Sequence, residues 1–311
     1  MRNLDDNLHI PPVSVLTGCT ASGKTGVLLK LKEKRDIEVI SADSRQVYRG
    51  LDIGTAKPSL EEQSVLAHHL IDIINPDEAF SAGMFSREAQ RLISEIRNRD
   101  SIPVIAGGTV LYLLALTGSL DPMPRRCSGV REGLMVLERE TPGVLYRMLE
   151  KLDPLTAAST GEGDIRRQIR ALELFALTGS LPAVLRKGGD PKLRRMFRIV
   201  GISLPREDHR RKIRSRAADM IDQGLVDEVK SLLSEGWGRE SVLGRTIGYR
   251  EVLDFLDGSI ASIEKTIDAI SASTWHLVRK QKNMFDRFEG IVWVEDNQDL
   301  IEELLLGEGG F

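Results

Sequence analysis

The sequence has only two cysteines and no long uninterrupted apolar run. Cys19 and Cys127 give neither a disulfide framework nor the spacing of zinc ligands, so both are expected to be reduced thiols. The apolar runs end well short of the ~18 residues that a membrane span needs. The first residues, MRNLDDNLHIPP, carry acids where a signal peptide has its apolar stretch. The sequence therefore predicts a cytoplasmic protein without membrane contact or structural metal.

The net charge is also small, −3 over 311 residues, but the charges are unevenly distributed. Glu162–Arg216 contains 15 Lys or Arg and 6 Asp or Glu, whereas the rest of the chain contains 28 and 40. Such a basic segment is either a solvated charged face or the electrostatic footprint of a nucleic-acid partner. Composition alone leaves both interpretations open.

Internal repeats and low-complexity segments are missing as well, so the fold is inferred from local patterns. Short apolar runs alternate with stretches of helical periodicity, and they lie at Val13–Leu16, Ile37–Ile40, Leu70–Ile73 and Ile102–Ala106. The alternation predicts an α/β fold with a parallel sheet flanked by helices.

Strand patterns stop after Gly118 and return at Arg198–Leu204. The intervening helical stretches, Val130–Arg139 and Ile165–Thr178, predict an all-helical insertion domain. From Ser262 onward, a long helix is expected. We therefore predict a core in residues 1–118, a helical insertion in 119–197, and a return to the core with C-terminal helices in 198–311.

A glycine-rich loop separates the first predicted strand from the first predicted helix. Residues 18–25, GCTASGKT, match G-x-x-x-x-G-K-[ST], the phosphate-binding P-loop. Backbone N–H groups and the helix N-terminus of such a loop bind phosphate oxygens, Lys24 supplies a cation, and the Thr25 hydroxyl can ligate Mg²⁺. The alternative is a glycine-rich turn without a ligand. With its strand and helix in place, the motif predicts a P-loop NTPase-like core that binds phosphate.

Polar residues follow two other predicted strands. Asp43 follows the second strand, and Gly107-Gly108-Thr109 follows a later one. Because the carboxyl ends of parallel strands meet at one edge of a sheet, both segments should lie beside the P-loop. Asp43 by itself could equally be a turn or N-cap residue, and a tight strand-to-helix turn is enough to explain the two glycines.

Six motifs occur together along the chain: GCTASGKT, ISADSRQVYRGLDIGTAKP, HHLID, PVIAGGTVLYL, the D-x-x-R-x-x-R-A-L-E of Asp164–Glu173, and the IGYRE of Ile247–Glu251. In this order they closely resemble the tRNA dimethylallyltransferase family, over a region from Val13 to Phe285. DSRQVYRGLDIGTAKP is far more specific than the P-loop, because nucleotide kinases carry the P-loop without it.

The resemblance implies dimethylallyl diphosphate as prenyl donor, Mg²⁺ as cofactor, and transfer to N6 of the adenosine on the 3′ side of the anticodon of tRNA. The anticodon stem-loop is then the partner, diphosphate is the product, and a monomer suffices. The P-loop is implied to hold the donor's diphosphate rather than a nucleotide. The implied contacts are Gly18, Thr20, Ala21, Ser22, Gly23, Lys24 and Thr25, with Thr25 also binding the metal.

The resemblance also implies residue roles in catalysis and tRNA binding. Asp43 would accept the N6 proton, Thr109 would contact the bridging or leaving oxygen, and Lys24 would hold the diphosphate. The residues implied to contact tRNA are Asp43, Ser44, Arg45, Gln46, Thr109, Arg131, Arg166, Arg167, Gln168, Ile169, Arg170, Arg245, Gly248, Tyr249 and Arg250.

Three regions depart from the family pattern. Cys19 replaces the usual proline of the P-loop, and Lys212 replaces the first arginine of an R-I-x-x-R pattern that ends at Arg216. Near the end of the chain the family usually has T-R-x-x-A-K-R-Q, whereas residues 274–281 are TWHLVRKQ. Contacts of the last two regions with diphosphate or RNA are therefore left open.

Three alternative functions are considered. An isopentenyltransferase acting on free adenine nucleotides shares the P-loop and the aspartate but lacks a long helical insertion. A small-molecule P-loop kinase leaves DSRQVYRGLDIGTAKP unexplained. An inactive tRNA-binding protein is disfavoured because Lys24, Thr25, Asp43 and Thr109 are all present.

Overall fold

The computed structural model describes residues 11–121, 123–185, 190–295 and 297–307. The chain forms two compact units: a sheet unit of Met1–Leu116 and Arg195–Phe311, and an insertion unit of Thr117–Arg194. The insertion expected from the sequence, 119–197, lies slightly further along the chain. The first ten residues, which carry part of the signal-peptide expectation, lie outside the described residues.

The sheet unit is built on six parallel strands in the order β3-β2-β4-β1-β5-β6. Their bounds are Val13–Gly18 (β1), Ile37–Ser41 (β2), His68–His69 (β3), Ile102–Gly107 (β4), Phe197–Ser203 (β5) and Ile291–Glu295 (β6). Every residue of β1 and β2 is buried, which explains why these strands are continuous apolar runs rather than alternating ones.

Fifteen helices are described, in addition to a 3₁₀ turn at Leu243–Arg245. Those before the insertion are Lys24–Lys34 (α1), Leu60–Val65 (α2), Ala82–Arg97 (α3) and Val110–Leu116 (α4). Those of the insertion are Ser128–Glu140 (α5), Val144–Leu152 (α6), Pro154–Thr160 (α7), Ile165–Thr178 (α8), Pro182–Leu185 (α9) and Pro191–Arg194 (α10). Those after it are Arg206–Asp222 (α11), Leu225–Ser234 (α12), Tyr249–Leu256 (α13), Ile263–Phe285 (α14) and Gln298–Leu306 (α15). None of the described helices has the length and apolar content of a membrane span.

The predicted fold class is confirmed: a parallel sheet is flanked by helices, and a helical insertion interrupts it. One strand was placed wrongly, since Leu70–Ile73 follows β3 instead of forming it. Leu70 and Asp72 have φ of 63° and 54°, and this left-handed backbone cannot continue a strand. The strand β6 was not predicted.

The insertion unit has its own small apolar core. Leu134 of α5, Leu145 and Leu149 of α6, and Ile169 and Leu172 of α8 pack together there. Helix α8 spans the residues predicted for it, and Gly179 ends it with a left-handed φ of 68°.

A partly buried carboxylate fixes the loop that contains the DIGTAKP motif. The Glu228 carboxylate of α12 accepts the backbone N–H groups of Asp52, Ile53 and Gly54, and it also accepts the Tyr249 hydroxyl. Tyr249 is fully buried, and a Cβ on Gly54 would lie 2.3 Å from its ring. This loop can therefore pack against Tyr249 only with glycine at position 54.

We expect Gly54→Ala to lower the free energy of unfolding by about 1–3 kcal/mol, as overpacking of a closed core does. Gly83→Ala is the control, because the only atom near its Cβ is an Arg87 nitrogen at 3.8 Å and because alanine favours a helix. Urea unfolding of both variants is the measurement. Equal stability of Gly54→Ala and the wild type would contradict this account of the loop.

Candidate active site

A cavity of about 280 Å³ lies in the sheet unit beside the ends of β1, β2 and β4. Its wall contains the phosphate loop after β1, Asp43 after β2 and Gly108 after β4, together with two cations of α11. The lining residues are Thr20, Ala21, Ser22, Gly23, Lys24, Thr25, Asp43, Gln46, Thr55, Ala56, Gly108, Lys212 and Arg216. The structure thus brings together the loop and the aspartate that the sequence singled out.

The phosphate loop has the backbone of an anion receptor. Ala21 and Gly23 both have left-handed φ values, 66° and 93°, which turn successive N–H groups inward. Helix α1 begins at Lys24, and no side chain caps its N-terminus. Its first N–H groups are therefore available to phosphate oxygens.

Two of the predicted diphosphate contacts have other partners. The Thr20 N–H donates to Gln281 Oε1 at 3.0 Å, so this donor is engaged within the protein. Gly18 is not part of the cavity wall, and its carbonyl oxygen accepts from Lys24. Thr20, Ala21, Gly23 and Thr25 line the cavity, whereas Gly18 does not, and the diphosphate contacts of Thr20 and Gly18 stay predictions.

Lys24 is folded onto the loop. Its ammonium donates to the carbonyl oxygens of Gly18 and Cys19 at 3.0 and 3.1 Å, and to the Ser22 hydroxyl at 3.3 Å. Burial and the nearby charge of Arg216 lower the pKa of Lys24 to about 8, although Asp43 opposes this shift. A bound anion would offset the free-energy cost of burying the Lys24 charge, because it adds the opposite charge within the same cavity.

Asp43 combines the two roles that the sequence left open. Its Oδ1 accepts the N–H groups of Arg45 and Gln46, at 2.7 and 3.4 Å, and so forms a turn. The residue nevertheless lines the cavity, and its Oδ2 has no hydrogen bond within the described parts of the chain. The turn thus orients the carboxylate and leaves one oxygen for a ligand.

Thr109 lies beside the cavity rather than in its wall. Its hydroxyl oxygen accepts the Ser44 N–H at 3.0 Å, which ties the end of β4 to the segment that follows β2. Gln46 lines the cavity, but its side-chain amide donates to the Ala56 carbonyl at 3.0 Å and accepts from Ser41 at 2.9 Å. Both side chains thus hold the site together.

Lys212 and Arg216 are cavity residues that were not assigned to the site from the sequence. They lie one turn apart on α11, so their side chains share a helix face. Burial lowers the pKa of Arg216, and the Asp43 carboxylate opposes this shift. The R-I-x-x-R pattern was the available signal. With Lys24, these residues place three cations against the single carboxylate of the cavity wall.

The remaining predicted tRNA contacts of the sheet unit lie near one another but differ in exposure. The Arg45 guanidinium donates to the Arg245 carbonyl at 3.2 Å, so these two segments meet. Arg250 is exposed and donates to Ser273 at 2.9 Å. The Gly248 N–H donates to Glu251, and Tyr249 is fully buried. The Tyr249 side chain packs in the core, and the predicted tRNA contact of this residue stays a prediction.

The predicted arginines of the insertion surround one buried carboxylate. Glu173 is fully buried and accepts from Arg131 at 3.1 Å and from Arg170 at 2.7 Å. The Cys127 N–H donates to the same carboxylate, and Arg170 also donates to the Pro124 carbonyl. Glu173 therefore neutralises part of this cluster and fixes its geometry.

The cluster includes an arginine that sequence analysis did not assign. The pKa of Arg126 is lowered by partial burial and by the charges of Arg131, Arg170 and Arg166, so Arg126 shares a region of positive charge with the two arginines that contact Glu173. Gln168 is buried, and its amide donates to the Gly161 and Glu162 carbonyls at 2.8 Å.

Other predicted contacts of α8 differ in exposure. Ile169 is buried in the insertion core. Ile169 and Gln168 thus support the helix from inside, whereas Arg166 and Arg167 are exposed, and the tRNA contacts of all four residues stay predictions. Of the two arginines, Arg167 lies 3.3 Å from the Asp164 carboxylate.

Comparison with known proteins identifies the family. A sequence model described as IPP transferase matches residues 46–288. The chain belongs to the IPP transferase family. It is 40% identical over 284 residues to the tRNA dimethylallyltransferase of Thermotoga maritima, which covers 90% of this chain and 91% of that protein. It is 37% identical over 296 residues to the tRNA dimethylallyltransferase of Dictyoglomus turgidum, covering 94% and 90%.

Solved structures of IPP transferases share the fold. The full-length tRNA isopentenylpyrophosphate transferase of Bacillus halodurans is 33% identical, with a TM-score of 0.67 and coverage of 96% of both chains. A eukaryotic dimethylallyltransferase acting on tRNA is 25% identical, with a TM-score of 0.77, and covers 96% of this chain and 77% of that one. The expected P-loop NTPase-like architecture is thereby confirmed.

The oxygen atoms of the IPP transferase cavity are suited to a hard cation. The Thr25 hydroxyl and the Asp43 carboxylate both line it, and Mg²⁺ prefers such ligands. Within the described residues no group of three His, Cys, Asp or Glu side chains could form a protein-only metal site. A magnesium ion would therefore have to complete its coordination with ligand oxygens and water, as it commonly does in phosphate sites.

Because the pKa of Lys24 is about 8, the affinity for inorganic diphosphate should fall severalfold as the pH rises through 8. The charged form of Lys24 binds the anion, so binding near pH 8 should also take up protons. Calorimetry in buffers of different ionisation enthalpy measures both quantities.

The other groups facing Lys24 do not mimic this change. Burial raises the pKa of Cys19 above its usual 9.0 and lowers that of His209 below 6.5, so neither pKa moves towards 8. Lys24→Ala is the control: diphosphate should bind more weakly, without this proton uptake. Identical proton uptake by the variant and the wild type would contradict the assignment to Lys24.

Proposed function

We propose that this IPP transferase moves a dimethylallyl group from dimethylallyl diphosphate to N6 of the adenosine 3′-adjacent to the anticodon in tRNA. The observation that carries the proposal is the shared cavity: a phosphate loop with three cations faces the Asp43 carboxylate. The T. maritima and D. turgidum relatives are named tRNA dimethylallyltransferases, and the solved eukaryotic relative acts on tRNA.

The cations of the cavity are proposed to stabilise the leaving group. As the allylic C–O bond of the donor breaks, its electron pair moves onto the diphosphate. Lys24, Lys212 and Arg216 lie around this developing charge, together with the uncapped N-terminus of α1. Preorganised charges of this kind stabilise the transition state more than the ground state, since the negative charge grows along the reaction.

Asp43 is proposed to be the general base. The N6 lone pair forms the new C–N bond, the N6 proton becomes acidic as that bond forms, and the carboxylate accepts it. Such catalysis is typically worth about 10² to 10⁴ in rate. The two backbone N–H groups that hold Oδ1 fix the orientation of the carboxylate, and Oδ2 then faces the substrate. Thr109 is proposed to lie near the leaving oxygen, a role that the family resemblance implies, and its hydroxyl accepts the N–H of Ser44, the residue after Asp43.

Mg²⁺ is proposed as cofactor, with the Thr25 hydroxyl as the protein ligand that the phosphate-loop motif predicts. When bound, it would neutralise charge on the diphosphate oxygens. We further propose a monomer, since one chain supplies all residues of the cavity wall. A cytoplasmic location follows from tRNA as the substrate.

The anticodon stem-loop is the proposed region of contact with tRNA. The acceptor adenosine has to leave its stack, which costs a few kcal/mol. Contacts with RNA phosphates can offset this cost, and they are proposed for Arg126, Arg131, Arg166 and Arg170 of the insertion and for Arg45, Arg245 and Arg250 of the sheet unit. Two guanidinium groups share one buried carboxylate, and Arg126 and Arg166 add positive charge to the same region, so the cluster keeps a net positive charge that favours a polyanionic partner.

Free adenine nucleotides are not favoured as acceptors. The helical insertion with its arginine cluster has no evident use for a nucleotide that fits the cavity, and the relatives are named for action on tRNA. A kinase is not favoured either, because family membership rests on residues 46–288 rather than on the P-loop alone.

The test of the function is transfer itself. The protein should convert tRNA, but not AMP, to the prenylated product when supplied with dimethylallyl diphosphate and Mg²⁺, as measured by mass. Asp43→Asn keeps the shape of the side chain but cannot accept the proton, so the single-turnover rate should fall by at least about 10². Donor binding should survive. Transfer by Asp43→Asn at the wild-type rate would exclude Asp43 as the base.

The arginine cluster is tested by the salt dependence of tRNA binding. Arg166→Gln should flatten the slope of log affinity against log salt by about 0.7–0.9, the effect of one phosphate contact. Arg91→Gln is the control, because Arg91 is an exposed arginine of α3 whose charge is paired with Glu88 and Glu95. If the slopes of the two variants coincide, Arg166 belongs to a solvated face.

A further inference from the structure

Both peptide groups of Thr20, at the start of the phosphate loop, are held by side chains from other elements. The Thr20 N–H donates to Oε1 of Gln281 at 3.0 Å. The Thr20 carbonyl oxygen lies 2.7 Å from Nε2 of His209. Gln281 belongs to α14 and His209 to α11, so two separate helices fix one residue of the loop.

Gln281 also connects the loop to a second edge of the cavity. Its Nε2 donates to the Gly108 carbonyl at 2.8 Å, and the side chain is only 8% exposed. A Cβ on Gly108 would lie 2.7 Å from that nitrogen. One amide therefore spans the ends of β1 and β4, with its oxygen on the first and its nitrogen on the second.

His209 is buried and held in place by an aromatic neighbour. It is 6% exposed, and its ring meets the Trp275 ring edge-on, with centroids 5.9 Å apart. Trp275 is in turn covered by the Arg210 guanidinium, 4.9 Å from its centroid. Burial, with the charges of Lys24 and Lys212, lowers the pKa of His209, so the ring is neutral at neutral pH.

A carbonyl oxygen can only accept a hydrogen bond. The single N–H of the neutral ring therefore lies on Nε2 and donates to Thr20. The opposite tautomer would place two acceptors 2.7 Å apart.

The residue after Thr20 makes this support significant. Ala21 has φ of 66°, a left-handed conformation that is unfavourable for any residue with a Cβ. Such backbone persists when its surroundings over-determine it, and it is often found at ligand sites. Fixing both peptide groups of Thr20 restrains the residue immediately before this turn.

We infer that His209 and Gln281 are positioning residues that hold the phosphate loop in its anion-binding form before the ligand arrives. Neither side chain lines the cavity, so each acts through Thr20 rather than by contact with the ligand. The inference rests on the proposed function, in which this loop receives a diphosphate. It assigns a role to the C-terminal part of α14, where the sequence departs from the family pattern.

Binding of inorganic diphosphate, measured by calorimetry, tests the inference without requiring transfer. His209→Phe keeps a ring against Trp275 but loses the donor, and Gln281→Met keeps the length but loses both hydrogen bonds. Each should weaken diphosphate affinity by about 3- to 10-fold, the range for one hydrogen bond. In the double variant the losses should not add, because both side chains act on one residue, Thr20. Affinity for tRNA without donor should be unchanged.

Two further variants separate positioning from loss of stability. His209→Gln places an amide nitrogen roughly where Nε2 lies and should restore most of the affinity. Glu38→Gln removes a buried carboxylate that pairs with Arg99 and contacts His69. Glu38 lies at the start of β2, away from the carboxyl ends of the strands where the loop lies, so this variant should lower stability while leaving diphosphate affinity unchanged.

Three outcomes would overturn the inference. If His209→Phe and Gln281→Met both bind diphosphate within twofold of the wild type, the positioning role of these residues is refuted, but the proposed phosphate site is not. Equal weakening by His209→Gln and His209→Phe would refute the hydrogen bond of His209 as its basis. Failure of the folded wild type to bind diphosphate would refute both the positioning role of His209 and Gln281 and the proposed phosphate site.

Discussion

The site depends on a close backbone contact between the ends of β2 and β4. The Ala42 N–H donates to the Ala106 carbonyl at 2.7 Å, and the Thr109 N–H donates to the Ala42 carbonyl at 3.2 Å. A Cβ on Gly107 would lie 2.3 Å from the Ala42 carbonyl oxygen, so only glycine permits this approach. Asp43 and Thr109 are thereby placed side by side, and the neighbouring strand β1 delivers the phosphate loop to the same edge.

The charges at this edge are unbalanced without a ligand. Lys24, Lys212 and Arg216 share a cavity with the single carboxylate of Asp43, and burial adds to their mutual repulsion. Burial first, and then the charge of Arg216, lower the pKa of Lys24. The insertion unit repeats this arrangement around Glu173, where one buried carboxylate organises several arginines but does not neutralise them all. In each unit, an anionic partner would supply the charge that the protein lacks.

The features that depend on short stretches of sequence could be predicted. Apolar runs located β1, β2, β4 and β5, and the P-loop motif located the phosphate loop. The position of Asp43 after a strand placed it at the same edge of the sheet as that loop. The short strand β3 was misplaced because two left-handed residues, Leu70 and Asp72, follow it, and no composition signal marks them. The partners of Thr20 could not be found from the sequence, since His209 and Gln281 are 189 and 261 residues away. Burial separated Gln168, Ile169 and Tyr249 from their exposed neighbours in the same motifs, a distinction that depends on tertiary packing.

The contact between the Glu228 carboxylate and the backbone of residues 52–54 has a consequence for which side chains this loop requires. Its carboxylate binds the main chain of Asp52, Ile53 and Gly54 rather than their side chains. Every amino acid except proline carries the N–H that such a contact requires. Glu228 therefore sets no requirement on the side chains at positions 52 and 53. Those requirements are set separately, by the ion pair of Asp52 with Lys57 and by the packing of Ile53 against the core. The side chain that holds the main chain of the loop comes from a helix that lies 176 residues further along the chain.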